Sequence, residues 1–207
     1  MVSTRLLAEP LRAAGPALRE IAARRVAGGD DAPGSLQIAA TYIGLGIEHI
    51  LLGIDHLLFV LALLILVDTW RRLVWTITAF TIAHSITLAA ATLGWVSVQP
   101  PPVEAVIALS IVFVAGEIVR SRQAPPGPDQ GRTGLSQRMP WLVAFTFGLL
   151  HGFGFAGALR EIGLPQKDVP LALLFFNVGV EVGQLLFVAA VIVVFSLLTR
   201  LVRQRGS

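Results

Sequence analysis

Long apolar runs separated by short polar segments dominate the chain from residue 38 onward. A run of about 17–25 apolar residues is long enough to cross the hydrocarbon core of a bilayer as an α-helix. Four such runs stand out, at residues 74–93, 103–119, 141–159 and 171–198. The pattern therefore predicts an all-α, polytopic transmembrane helical bundle.

The first apolar run, residues 38–67, differs from the others because Gly53 lies near its middle. The run is too long for one upright span and too short for two full spans. It is therefore either one long, tilted helix or a short hairpin that is broken near Gly53. The bundle accordingly has five to six spans.

The distribution of arginine predicts the orientation of these spans. Arginines concentrate in the segments 71–72, 120–138 and 200–205, whereas the loop 94–102 contains no Lys or Arg. Because positive residues are enriched in cytoplasmic loops, the three segments and the C-terminus are predicted to be cytoplasmic. Residues 1–34 carry five Arg, which favours a cytoplasmic N-terminus and six spans. Five spans would instead place the N-terminus outside.

The chain is predicted to have three parts. Residues 1–35 form an Arg-rich leader, which is either disordered or an amphipathic helix on the bilayer surface. Residues 36–200 form the transmembrane helical domain, with a cytoplasmic loop at residues 121–139. Residues 201–207 form a basic C-terminal tail.

The composition supports a membrane protein and limits its chemistry. Hydrophobic residues make up 55% of the chain and charged residues only 14%, against roughly 25% charged in a soluble domain. The net charge of +3 comes from arginines at the ends of apolar runs, so we expect no nucleic-acid partner. With no Cys in the sequence, any metal must be bound by nitrogen and oxygen ligands.

All four histidines lie within apolar runs, and two of them directly follow a carboxylate. The pairs Glu48-His49 and Asp55-His56 are seven residues apart, which would stack them two turns apart on one side of a helix. Ionisable side chains at membrane depth are costly and mark functional sites. We therefore expect a metal site in one cavity, with these ligands: His49, Asp55, His56, His84, His151 and Glu181.

Other polar residues are expected to line or support this cavity. Thr81 and Ser85 flank His84, and Asn177 and Gln184 share one helical stripe with Glu181. Small residues in the last two apolar runs predict close helix packing, at Gly148, Gly152, Gly179 and Gly183.

Three further carboxylates are also included as supporting polar residues: Glu48, Glu104 and Glu117. Glu104 follows three prolines and would sit in the first turn of a helix, where its charge offsets the helix dipole. Glu117 either pairs with Arg120, three positions later, or contributes to a mouth for cations.

Five blocks of sequence together carry a resemblance to a known family: GIEHILLGIDHLLF, TAFTIAHSITL, VEAVIALSI, FGLLHGFGFAGAL and FFNVGVEVGQL. Across residues 42–185 the chain resembles the second subgroup of the HupE/UreJ family of bacterial membrane proteins. The resemblance implies a multi-pass nickel or cobalt permease of the cytoplasmic (inner) membrane. The family hallmark H-x5-D-H corresponds to His49, Asp55 and His56.

A second hallmark of the family, a His-Gly element in a later span, corresponds to His151 and Gly152. Nickel-linked members carry a further His after this element, where the present chain has Phe155 and Ala156. The resemblance therefore implies the class of metal rather than nickel itself.

The expected ligands suit a divalent transition metal ion such as nickel, cobalt or zinc. The leading hypothesis is a permease for such an ion, with the lipid bilayer and the metal as partners and homo-oligomerisation left open. The alternative is an intramembrane zinc-dependent hydrolase on the same side chains, with Glu181 or Asp55 as the base. A third hypothesis is a membrane component of a metal-handling complex without transport of its own.

Overall fold

The computed structural model describes residues 35–123, 134–161 and 169–205, and these residues contain helices and no strand. The all-α prediction is confirmed. The predicted leader, the loop at Lys167 and Asp168, and the side chains of Phe155 and Ala156 lie outside this description. The helices are α1 (Ser35–Leu52), α2 (Ile54–Leu66), α3 (Trp70–Thr92), α4 (Pro100–Gln123), α5 (Leu135–Arg138), α6 (Pro140–Glu161) and α7 (Val169–Arg205).

A sharp break at Gly53 separates α1 from α2. Gly53 has φ −82° and ψ 93°, an extended conformation, and the two helices are bent by 75° at this point. A Cβ atom at Gly53 would lie 2.7 Å from the His49 carbonyl oxygen and 2.9 Å from His56 Nδ1. The predicted break is confirmed. Stacking of the two acidic–His pairs on one continuous helix was wrong, because the break lies between them.

The apolar helices define a multi-pass membrane protein. Three helices, α3, α4 and α7, are each long and apolar enough to cross a membrane. The bent pair α1–α2 meets the same requirement when taken together, and the Pro140–Gly154 part of α6 is apolar but shorter.

Glycines let α1 and α7 pack with their backbones in contact. A Cβ atom at Gly46 would overlap the Phe176 carbonyl oxygen, and one at Gly179 would overlap that of Ile43. A Cβ atom at Gly183 would lie 3.2 Å from the Ile47 Cα. Close approach through small residues is how membrane helices gain van der Waals contact. Ile43 meets Gly179 and Ile47 meets Gly183, so residue numbers increase together between these two contacts and α1 and α7 run in the same direction.

Helices α3 and α6 pack in a similar way. A Cβ atom at Gly148 would lie 3.0 Å from Ala83 Cβ, and one at Gly152 would overlap the His84 carbonyl oxygen. The close packing predicted for these glycines is confirmed. Residue numbers again increase together, so α3 and α6 are parallel.

These directions bear on how α1 and α2 are arranged. Parallel α1 and α7 need an even number of reversals between them, which α3, α4, α6 and α7 supply if the shorter α6 crosses and α1 and α2 form one broken span. Two separate spans in α1 and α2 would make α1 and α7 antiparallel. The packing therefore agrees with one broken span, and three of the described helices, or four when the bent pair counts as one span, are long and apolar enough to cross a membrane.

Two apolar cores occupy the two halves of the bundle. The first joins α1, the end of α3 and the start of α7, with Ile50, Leu88 and Phe176 among its members. The second joins α2, the start of α3, α4, α6 and the middle of α7, with Phe59 and Phe80 among its members. Since α1 belongs to one core and α2 to the other, the break at Gly53 lies between them.

Candidate metal centre

The four histidine side chains meet at the break in the first span. Ring centroids are 4.7 Å apart for His49 and His56, 5.1 Å for His56 and His151, and 6.0 Å for His56 and His84. All four are buried, with His84 0% and His151 1% exposed. We call His49, His56, His84 and His151 the histidine cluster. It draws together α1, α2, α3 and α6.

Several ring nitrogens of the cluster lack hydrogen bonds within the described residues. Both nitrogens of His56, both of His84 and Nδ1 of His151 are buried without a hydrogen-bond partner there. A buried polar atom left in this state costs about 1–3 kcal/mol. A ligand bound to the nitrogen lone pairs would offset this cost.

The tautomer of His151 follows from its neighbour Ser110 on α4. Ser110 Oγ lies 3.1 Å from His151 Nε2 and donates its only proton to the Ile107 carbonyl oxygen at 2.6 Å. The hydroxyl must then accept a hydrogen bond from Nε2–H. This leaves the lone pair on His151 Nδ1 directed away from Ser110 and available to a cation, a common way of orienting a metal-binding imidazole.

In this centre the spacing of the rings is close to that of a metal site, but the arrangement of the side chains is not. A zinc-like ion lies about 2.0–2.1 Å from each ligating nitrogen, so two imidazoles on one ion have ring centroids roughly 5–6 Å apart. The pairs His56–His151 and His56–His84 have this spacing, at 5.1 and 6.0 Å. No group of three or more His, Asp or Glu side chains in the described part of the chain is nevertheless arranged to hold a metal ion as it stands.

The two predicted carboxylate ligands, Asp55 and Glu181, are half-buried, whereas the supporting carboxylate Glu48 is exposed. Asp55 is half-buried in the first turn of α2, where its charge is favoured by the helix dipole. Glu48 at the end of α1 is exposed. Glu181 is half-buried on α7 and accepts a hydrogen bond of 2.5 Å from Thr78 Oγ1.

Thr78 and Glu181 form one hydrogen-bonded pair between α3 and α7, and a second pair joins the same two helices. Thr81 Oγ1 donates to Gln184 Oε1 at 3.1 Å and lies 3.2 Å from the Ile77 carbonyl oxygen. We call Thr78, Thr81, Glu181 and Gln184 the α3–α7 polar contact.

The side chains of Ser85 and Asn177, two further supporting residues, donate hydrogen bonds to backbone carbonyl oxygens of their own helices. Ser85 donates to the Thr81 carbonyl oxygen at 2.6 Å, within its own helix. Asn177 donates through Nδ2 to the Leu173 carbonyl oxygen at 2.8 Å, and its Oδ1 is buried without a hydrogen-bond partner among the described residues.

Glu104 and Glu117 are placed differently from the sequence-based expectation. Helix α4 begins at Pro100 and includes the three prolines, which need no backbone N–H in a first turn. Glu104 is therefore its fifth residue, and its placement in the first turn was wrong. Glu117 accepts a hydrogen bond of 2.9 Å from Ser136 N–H and so caps α5.

Sequence reasoning missed two groups around the cluster. Ser110 was recognisable only as an isolated hydroxyl in an apolar run, with no sign of its link to His151. Ring centroids are 6.0 Å apart for Phe80 and His84, 5.2 Å for Phe80 and His151, and 5.6 Å for Phe59 and His151. Nothing in an apolar run distinguishes such phenylalanines from ordinary lipid-facing or core residues.

The fold and the cluster define a polytopic helical membrane protein with buried imidazoles at a helix break. The sequence matches the family described as HupE / UreJ protein over residues 30–206. The chain belongs to this family, which is associated with metal transport. Comparisons with curated proteins and with solved structures gave no match.

Proposed function

We propose that this protein is a permease for a divalent transition metal ion such as nickel, cobalt or zinc. The observation that carries the proposal is the histidine cluster itself, in which buried ring nitrogens without hydrogen-bond partners meet at the break between α1 and α2. Such atoms are costly in a membrane unless they bind something.

The chemistry of the donors supports this class of substrate. Imidazole nitrogen with carboxylate oxygen suits nickel, cobalt and zinc, whereas copper(I) prefers thiolate and thioether ligands. Neutral imidazoles do not offset the charge of a divalent cation. Asp55 and Glu48 each directly precede a histidine of the cluster, but Asp55 is half-buried whereas Glu48 is exposed, so we assign that role to Asp55.

The position of the break also supports transport. Discontinuous helices near the middle of a membrane are a recurring feature of transporter binding sites. Here α1 and α2 belong to different apolar cores, so a movement of one half against the other would change the side from which the cluster is reached. Because imidazole must be unprotonated to bind metal, binding and release are coupled to protons.

The experiment is metal flux into proteoliposomes under a pH gradient. Wild-type protein should accumulate nickel, cobalt or zinc. Asp55→Asn should not, because it removes the negative charge next to His56 that offsets the charge of a divalent cation. Asp68→Asn is the matched control, since Asp68 is an exposed residue in the loop between α2 and α3, and it should transport normally.

Two results would count against this account. Equal flux in the wild type and Asp55→Asn would reject the role of Asp55 in the transport site. Absence of flux for all three ions, with zinc retained stoichiometrically, would reject the permease and favour the intramembrane hydrolase instead.

A further inference from the structure

A groove lies between α3 and the first turns of α6, away from the residues of the histidine cluster. It encloses about 470 Å³. Its walls include Trp75, Ala79 and Ile82 of α3 and Trp141 and Phe145 of α6.

The groove has one polar end. Arg72 lines it and donates through Nη2 to the Arg138 carbonyl oxygen at 3.3 Å, a contact that holds the guanidinium at the start of α6. Trp75 is 71% and Trp141 50% exposed. Arginine together with exposed tryptophan is typical of the boundary between the hydrocarbon core and the headgroups.

The length of the groove corresponds to one leaflet. Ten residues separate Arg72 from Ile82, which is about 15 Å along a helix. The hydrocarbon core of a bilayer is about 30 Å thick, so the groove extends from the headgroup level to roughly the middle of the membrane.

The walls offer few hydrogen bonds to a polar solute. The two hydroxyls in the groove have already given their protons, since Thr76 donates to the Arg72 carbonyl oxygen at 2.7 Å and Thr78 donates to Glu181. Apart from Arg72 and the indole N–H groups of Trp75 and Trp141, the rest of the wall is formed by apolar side chains. The groove therefore suits a ligand with a long apolar part and a negative charge at one end.

We propose that this groove binds an anionic phospholipid, with an acyl chain between α3 and α6 and the phosphate on Arg72. The neighbouring Arg71, which is exposed, adds positive charge at the same level. Basic sites between transmembrane helices select anionic headgroups in this way.

Native mass spectrometry of the purified full chain tests the proposal, with phosphatidylglycerol and phosphatidylcholine of identical acyl chains added in turn. The wild type should retain phosphatidylglycerol in preference to phosphatidylcholine. Arg72→Gln should weaken phosphatidylglycerol retention about fivefold, the effect of one charge near a headgroup. Arg120→Gln, an exposed arginine at the end of α4, is the matched control and should retain the lipid.

A second variant, Ala79→Trp, fills the groove and should reduce retention of both lipids, with helix content checked by circular dichroism. Equal retention of phosphatidylglycerol by the wild type, Arg72→Gln and Ala79→Trp would overturn the proposal. A lipid-free dimer that Ala79→Trp dissociates would overturn it in favour of a second copy of the chain.

Discussion

The histidine cluster and the α3–α7 polar contact are two polar regions at membrane depth, and they are satisfied in opposite ways. Thr81 and His84 are one helical turn apart on α3. The hydroxyl of Thr81 is bonded to Gln184, whereas both ring nitrogens of His84 are buried without a hydrogen-bond partner in the described residues. The difference separates polar groups that join helices, such as Thr81, from ring nitrogens, such as those of His84, that a ligand can reach as partners.

The energetic consequences differ accordingly. A hydrogen bond between membrane helices contributes only about 0.6 kcal/mol on average, because the separated helices also find partners. The α3–α7 polar contact is therefore a modest stabilising feature. Each unpartnered nitrogen of the cluster instead costs about 1–3 kcal/mol in the metal-free protein, and a bound cation would offset that cost.

The largest expected effect comes from removing one imidazole of the cluster. His56→Leu should weaken binding of nickel, cobalt or zinc by roughly 100-fold or more, beyond the 10–100-fold typical of residues that only orient a ligand. Its stability without metal should equal or exceed that of the wild type, because an unpartnered polar group is replaced by an apolar one. Metal titration and thermal unfolding of the metal-free protein measure the two effects.

A large loss of metal-free stability in His56→Leu would contradict the difference drawn between the histidine cluster and the α3–α7 polar contact. It would mean that His56 holds the helices together, as the α3–α7 polar contact does.

Acid should weaken the cluster and leave the α3–α7 hydrogen bonds of Thr81 unaffected. Protons and metal compete for the same imidazole lone pairs, so metal affinity should decrease once the pH is low enough to protonate the ligating imidazoles, by about tenfold per pH unit for each proton displaced. Metal titrations at a series of pH values, continued down to the acid limit of the folded protein, provide the measurement. Affinity that stays constant over the pH range in which the cluster becomes protonated would exclude imidazole as the main ligand.

A smaller effect is expected at Ser110, which orients His151 without taking part in the cluster. Ser110→Ala should reduce metal affinity by about 10–100-fold, because His151 Nε2–H loses its acceptor and the tautomer is no longer fixed. Ser110→Thr keeps the hydroxyl and should restore most of the affinity. If Ser110→Ala and the wild type bind metal equally, Ser110 does not position His151.

The smallest effect is expected at the α3–α7 polar contact. Thr81→Val keeps the shape of the side chain but removes the hydrogen bond to Gln184, so the free energy of unfolding should decrease by about 0.6 kcal/mol. Metal affinity should stay within a factor of two or three of the wild-type value. A larger loss of affinity would show that the contact and the cluster act as one site.

The sequence predicted the helical class, the break at Gly53 and the membrane depth of the histidines, because each depends on local composition. Contacts between distant residues could not be predicted in the same way. Ser110 and His151 are 41 positions apart, and their pairing depends on how α4 and α6 meet. Glu117 caps α5 only because the short helix returns to the end of α4.

The number of spans shows the same limit. The arginines of the leader favoured six spans, because charge indicates the side on which a segment lies and not how a broken apolar run packs. The contacts of Gly179 with Ile43 and of Gly183 with Ile47, which make α1 and α7 parallel, agree instead with one broken first span. Packing supplied information that the apolar pattern lacks.

The central claim is that the histidine cluster binds a divalent metal ion through its ring nitrogens. X-ray absorption spectroscopy of the full chain loaded with nickel, cobalt or zinc tests it most directly. The account predicts at least two imidazole nitrogens at about 2.0–2.1 Å from the metal, and their loss in a variant that carries both His56→Leu and His84→Leu. A metal surrounded only by oxygen ligands, or an unchanged spectrum in that variant, would contradict it.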